Sequence, residues 1–188
     1  MGGDLVLEES AFPLRPAPDP SAKFKGTYRE AGWKRCHAMS SGDAVFTPWP
    51  HDDYPNWSLP ALEAAKCVAL QGDQQVDDRL HLGLFEAFFT KSHNIAKPDE
   101  VTRVVEAAGA DMPRFRGDYE AGAGRELVLR DYRAAVEEDG VHGIPTVILP
   151  QSGERVVGLA DLDTYRRTVE RGGHTTQDPH TPSKEAAG

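Results

Sequence analysis

The chain has 188 residues, of which 39% are hydrophobic and 27% charged, the profile of one soluble globular domain with room for an inserted subdomain. A net charge of −9 leaves no basic face for nucleic acid or an anionic membrane surface, and no run approaches the roughly 18 apolar residues of a membrane span. Met1 to Glu9 lacks a basic region followed by an apolar core, so no secretory signal is read there, and two cysteines without an export signal point to a reducing cytoplasm.

Leu5 to Leu14 reads as a strand, with Leu5, Leu7 and Phe12 among β-formers and Pro13 and Pro16 ending the run. Residues 21–57 form an irregular connecting loop rich in Pro, Gly and aromatics, within which Tyr28 to Met39 reads as a helix with Trp33 inward. Trp49, Tyr54 and Trp57 fit either one wall of a substrate groove or plain packing onto the helices C-terminal to them. Residues 58–139 read as a block of helices. Ser58 is placed to cap the first, with Pro60 in its first turn, Leu62, Ala65, Cys67 and Ala69 along it, and a stop at Gly72. The second carries Val76, Leu80, Leu84, Phe85, Phe88 and Phe89. After the connector Asn94 to Lys97, Pro98 opens a third, with Val101, Val104, Val105 and Ala108 inward and Gly109 at its end. Asp111 and Pro113 open a short fourth bearing Phe115 and Tyr119. Glu126 to Glu138 makes a fifth, with Leu127, Val128, Tyr132 and Val136 packing and Gly140 as its stop. The expected core of the block is Leu80, Leu84, Phe88, Val101, Val105, Leu127 and Tyr132.

The next twenty residues say most about function. After Gly140 comes Val141-His142-Gly143-Ile144-Pro145, then the β-branched run Thr146-Val147-Ile148. A polar turn, Gln151-Ser152-Gly153, leads to a second strand at Arg155-Val156-Val157. Proline at the first residue of a strand is tolerated because no ladder donor is needed there. Asp161 caps a last helix with Leu162, Tyr165 and Val169. Residues 172–188 have no apolar periodicity and read as a disordered tail.

Helix, Gly, X-Pro-Thr, strand, turn, strand and helix in that order resemble the C-terminal half of the thioredoxin fold. The segments Ala11-Phe12-Pro13-Leu14-Arg15-Pro16, Leu84-Phe85-Glu86-Ala87-Phe88-Phe89, Asn94-Ile95, Ala107-Ala108-Gly109-Ala110-Asp111 and Val141-His142-Gly143-Ile144-Pro145-Thr146 occur in sequence. Together they resemble the DsbA-family thioredoxin-like proteins, in particular the cytoplasmic FrnE-like branch. The resemblance implies an α/β, thioredoxin-like fold made of residues 4–20 and 140–171, interrupted by the all-helical insertion 58–139. It implies thiol–disulfide oxidoreductase activity and a cis Ile144–Pro145 bond. It also exposes a gap. Family members open with a strand and a Cys-x-x-Cys at a helix N-terminus, where a thiolate is stabilised and a second thiol resolves the mixed disulfide. Here Leu5 to Leu14 matches the family's second strand and no Cys-x-x-Cys exists. The sheet is therefore expected to be incomplete, and the chain to be an N-terminally truncated or redox-inactive form.

On this reading no catalytic residue is present and no cofactor is called for. The substrate-binding candidates are Ile144, Pro145, His142 and Gly143, whose main chain would take a peptide or small thiol in strand-like pairing. Cys36, preceded by Lys34 and Arg35 and followed by His37, is the candidate reactive thiol; Cys67 reads as a buried core residue. None of the seven histidines has zinc-ligand spacing, and His51-Asp52-Asp53 reads as a solvated turn. Two other functions fit the same elements: a glutathione-using isomerase of the 2-hydroxychromene-2-carboxylate isomerase type, and a non-catalytic peptide-binding module. A second copy or a partner strand is the expected occupant of the gap in the sheet.

Overall fold

The computed structural model describes residues 6–40, 42 and 44–174. Among them are seven α-helices and one small sheet: α1 (Tyr28–Met39), α2 (Leu59–Ala69), α3 (Gln74–Phe85), α4 (Pro98–Ala108), α5 (Met112–Glu120), α6 (Ala123–Arg133), β1 (Thr146–Ile148), β2 (Arg155–Val157) and α7 (Leu162–His174). The chain divides into two compact units, Met1–Ala135 and Val136–Gly188.

Local chemistry accounts for most helix ends. The carboxylates of Asp73, Asp111 and Asp161 accept the backbone N–H groups of Gln75, Arg114 and Thr164 at 3.0, 3.1 and 2.7 Å, covering donors that a helix start leaves unpaired. Pro60, Pro98 and Pro113 sit in first turns, where their missing N–H costs nothing. Gly109 ends α4 at φ 86°, a left-handed conformation that a residue without Cβ adopts freely. Ser58 departs from its expected role as a cap. Its hydroxyl accepts the Arg15 N–H at 3.0 Å and its own N–H donates to the Arg15 carbonyl at 3.0 Å, clamping the N-terminal segment to the start of α2.

In the larger unit α2, α3, α4 and α5 share one core, built from Ala64, Cys67, Val68, Val76, Leu80, Leu84, Val101, Val105, Ala108 and Phe115. α6 crosses α2 at Gly124. A Cβ there would stand 2.2 Å from the Glu63 carbonyl oxygen and 2.7 Å from the Cys67 Sγ, so only glycine admits this approach. Beside the crossing, buried Glu63 receives a bidentate pair of hydrogen bonds from Arg125 at 2.7 and 3.2 Å.

Phe88 lies elsewhere than the periodicity suggests. α3 continues into a π-helical turn, Glu86–Thr90, closed by the Lys91 N–H on the Glu86 carbonyl at 2.9 Å. The additional residue in that turn rotates the apolar face. Phe88 and Phe89 therefore pack half-buried against a second cluster of Phe24, Trp33, Trp49 and Tyr54. Residues 21–57 are thus more than a connector, because they build this aromatic core around α1. Leu127 and Tyr132 are only half-buried; Val128, one position on from Leu127, is buried in α6 along with Gly124.

The expected N-terminal strand is absent over residues 6–14, and Leu5 lies outside the described residues. Side chains rather than a ladder hold the segment. The Ala11 N–H donates to Asp131 at 3.1 Å, and Lys66 pairs with the same carboxylate at 2.7 Å while donating to the Glu9 carbonyl at 3.3 Å. Val6 and Leu7 remain exposed.

In the smaller unit β1 and β2 pair antiparallel, Thr146 opposite Val157 and Ile148 opposite Arg155. α7 packs on this hairpin, and a Cβ on Gly172 would lie 2.6 Å from Leu149 Cδ2. The helix runs to His174, past the point where a tail was expected; residues 175–188 lie outside the described residues.

Gly124→Ala is expected to destabilise the protein by about 1–3 kcal/mol, because the overpacking outweighs the gain in helix propensity of about 1 kcal/mol. Urea unfolding checks this; a variant as stable as the parent would show that the two helices part freely.

Candidate functional site

The loop that leads into β1 is held at both ends by side chains of the hairpin. Gly140 turns the chain at φ 61°, and the Arg155 guanidinium, on β2, donates to the Asp139 carbonyl just before it. Val141 is buried. The Thr146 hydroxyl, at the start of β1, donates to the Gly143 carbonyl at 2.7 Å. The Ile144–Pro145 peptide bond is cis, and the Pro145 carbonyl accepts the Gly158 N–H at 2.8 Å. Ile144 is different: neither its N–H nor its carbonyl makes a hydrogen bond among the described residues, and the residue is 47% exposed. His142 and Pro145 are also exposed and Gly143 is half-buried. His142 and Gly143 line a shallow, open depression of about 320 Å³ with Gly140, Val141, Thr146, Arg155 and Val157.

Strand register extends the free main chain beyond Ile144. The Gly158 N–H bonds the Pro145 carbonyl and the Leu149 N–H bonds the Glu154 carbonyl at 2.9 Å, which marks 145·158 and 149·154 as hydrogen-bonded positions. Antiparallel pairs alternate, so Thr146·Val157 and Ile148·Arg155 are the non-hydrogen-bonded ones. The N–H and C=O groups of Thr146 and Ile148 therefore point away from β2, toward an edge with no ladder partner among the described residues.

Both cysteines are free. Cys67 is fully enclosed, and its thiol is pushed up to about 11, first by burial and further by the charges of Asp118 and Glu63, against the pull of the Gly124 N–H. Cys36 is half-buried in the last turn of α1, the end of a helix that presents carbonyls rather than free N–H groups. Neither occupies a helix N-terminus open to a substrate.

The groove suggested by Trp49, Tyr54 and Trp57 does not form. Trp49 and Tyr54 are buried against Phe88, and the Trp57 indole N–H donates to the Pro16 carbonyl at 3.3 Å. No group of three or more His, Cys, Asp or Glu residues able to hold a metal exists among the described residues. Arg155 and Thr146, which hold the loop, escaped the sequence reading. The sequence carried no clear signal for them: a hairpin mirrored about Ser152 would set Arg155 opposite Leu149, on the other face from Thr146, and only the observed register, which pairs Ile148 with Arg155, puts the two on one face.

A family model for the DSBA-like thioredoxin domain matches residues 52–170, more than half of the chain and inclusive of the helical block, the loop and the hairpin. The chain belongs to the DSBA-like thioredoxin family. The crystal structure of a putative protein disulfide isomerase from Nitrosomonas europaea is similar at a TM-score of 0.73 and 14% identity, over 86% of this chain and 80% of that one. At that identity the likeness speaks for the fold, which is thioredoxin-like. A comparison with curated proteins finds no match. No helix among the described residues is long and apolar enough to cross a membrane.

In this DSBA-like chain the two thiols should differ sharply in reactivity. Iodoacetamide on the native protein near pH 8 is expected to label Cys36 alone, with Cys67 labelled only in denaturant. Intact mass and peptide mapping check it; labelling of Cys67 in the native protein at a rate close to that of Cys36 would contradict its enclosure between α2 and α6.

Proposed function

We propose that the chain serves thiol–disulfide exchange by capturing a peptide or small thiol at Ile144, Pro145, His142 and Gly143, while the 188 residues themselves carry no cycling dithiol. The observation that carries this reading is the unpaired main chain of Ile144 beside the depression, in a protein of this family. An extended ligand backbone would hydrogen-bond there as an added strand. The placement of the cysteines supports the second half. Dithiol chemistry needs an accessible thiolate and a resolving thiol beside it, and Cys67 is enclosed and held protonated. The order of the motifs from Ala11 to Thr146 supports kinship with the FrnE-like branch. Two free thiols suit a cytoplasmic setting. A strand from another polypeptide, or from a second copy, at the free edge of β1 belongs to the same reading.

Negligible insulin-reductase and dithiol-oxidase activity is expected of the purified chain, together with amide shifts at residues 142–148 on titration with an extended peptide. Fusing a strand–Cys-x-x-Cys–helix segment ahead of Asp4 should confer activity. Robust turnover by the chain as it stands, abolished by Cys36→Ser, would overturn the reading and move the active site to α1. Tight glutathione binding with no peptide binding would favour the isomerase type instead.

A further inference from the structure

We infer that Arg155 reads a carboxylate on the captured ligand, so that the hairpin selects acidic extended peptides; the inference rests on the peptide-capturing role proposed for the loop. Arg155 lines the depression, and among the described residues its one hydrogen-bond partner is the Asp139 carbonyl, a neutral group. No carboxylate of the described residues lies within ion-pairing distance of it. This stands out in a chain of net charge −9, where the neighbouring Glu154 is already engaged by Arg171 at 3.1 and 3.4 Å. None of the other residues lining the depression is acidic. The contact with Asp139 uses part of a planar fork of five donors and pre-orients the rest, which lowers the entropy lost when a carboxylate docks.

Geometry favours a peptide over a small thiol. Ile144, Thr146 and Ile148 present main-chain groups in strand alternation along the free edge of β1, an array that an extended backbone can follow and a tripeptide thiol cannot fill. A strand added there would lie two strand spacings from β2, about 9.5 Å, within the combined reach of a glutamate and an arginine. Thr146 and Arg155 project from one face of the hairpin, so every second side chain of the added strand lies on the same side as the guanidinium.

The test is an ¹⁵N-resolved NMR titration of the full chain with two extended pentapeptides that differ only by Glu or Gln at the central position. The Glu peptide should bind roughly tenfold more tightly at low salt, as a charge-assisted pair in place of a neutral one allows. The advantage should shrink at high salt. Arg155→Met should abolish the preference, weakening the Glu peptide clearly more than the Gln peptide, which loses only what the tether to the Asp139 carbonyl supplied, and Arg155→Lys should keep part of the preference. Equal affinities for the two peptides in the parent protein would overturn the inference and leave the capture site standing. So would an equal weakening of both by Arg155→Met, the mark of a residue that only holds the loop. Arg155-dependent binding of glutathione without peptide binding would overturn the choice of ligand. Failure of peptides and glutathione alike to shift the amides of residues 142–148 would instead bring down the capture site itself. Should Arg155→Met fail to fold, the Glu and Gln comparison across a salt series in the parent protein decides.

Discussion

The close approach of α2 and α6 at Gly124 is the constraint on which the larger unit depends. With no Cβ at that position the α6 backbone rests against the Glu63 carbonyl and the Cys67 sulfur. That contact has several consequences. Cys67 is sealed, and its thiol is held up by the loss of water. Glu63, 4% exposed, is acceptable in the interior because Arg125 meets both oxygens of its carboxylate. Farther along the same pair of helices, Lys66 of α2 and Asp131 of α6 join at 2.7 Å and together fix Glu9 and Ala11. One backbone contact thus silences a cysteine and anchors the N-terminal segment.

The smaller unit is organised on a different principle. Its loop from Asp139 to Pro145 is not packed into place by a large core; two side chains reach back to its carbonyls, Thr146 from β1 and Arg155 from β2. Holding a loop by its own hairpin leaves its outer main chain free, which is what Ile144 shows. A group unpaired at a strand end costs little while water reaches it and becomes valuable when a ligand backbone arrives. Rigidity supplied from one side and exposure on the other suit a capture element.

The aromatic cluster around α1 shows how a segment poor in regular structure becomes ordered. Residues 21–57 contribute Phe24, Trp33, Phe46, Trp49 and Tyr54, and the π-helical turn after α3 contributes Phe88 and Phe89. Trp33 sits edge-on to Phe24 and Phe88 at 4.8 and 5.1 Å, separations at which ring pairs attract beyond their buried area. Proline and glycine supply the bends, and the rings supply the core.

Helix by helix, the sequence was legible wherever the cause is local. α1 has the bounds read from its pattern; α4 begins at Pro98 and stops at Gly109; α5 starts just after Asp111 and α7 just after Asp161. In each case the deciding group lies within a turn of the boundary it sets. The thioredoxin-like class and the hairpin after Gly140 were legible for the same reason, because motif order and turn chemistry are written along the chain. What escaped depends on partners far away in sequence. Leu7 and Phe12 are β-formers ahead of Pro13 and Pro16, yet a strand exists only with a ladder partner, and Asp131 and Lys66 hold the segment instead. Ser58 has the composition of a cap, but its hydroxyl is claimed by Arg15, 43 positions earlier. Phe88 keeps helical spacing with Leu84, and one additional residue in a π-helical turn sends it to another core. Arg155 drew no notice as a lone charge on a short strand; only the folded hairpin brings it to the Asp139 carbonyl and to the loop that Ile144 opens. Periodicity and caps are properties of a few neighbouring residues, whereas register, close approach and the pairing of distant groups are decided by tertiary structure alone.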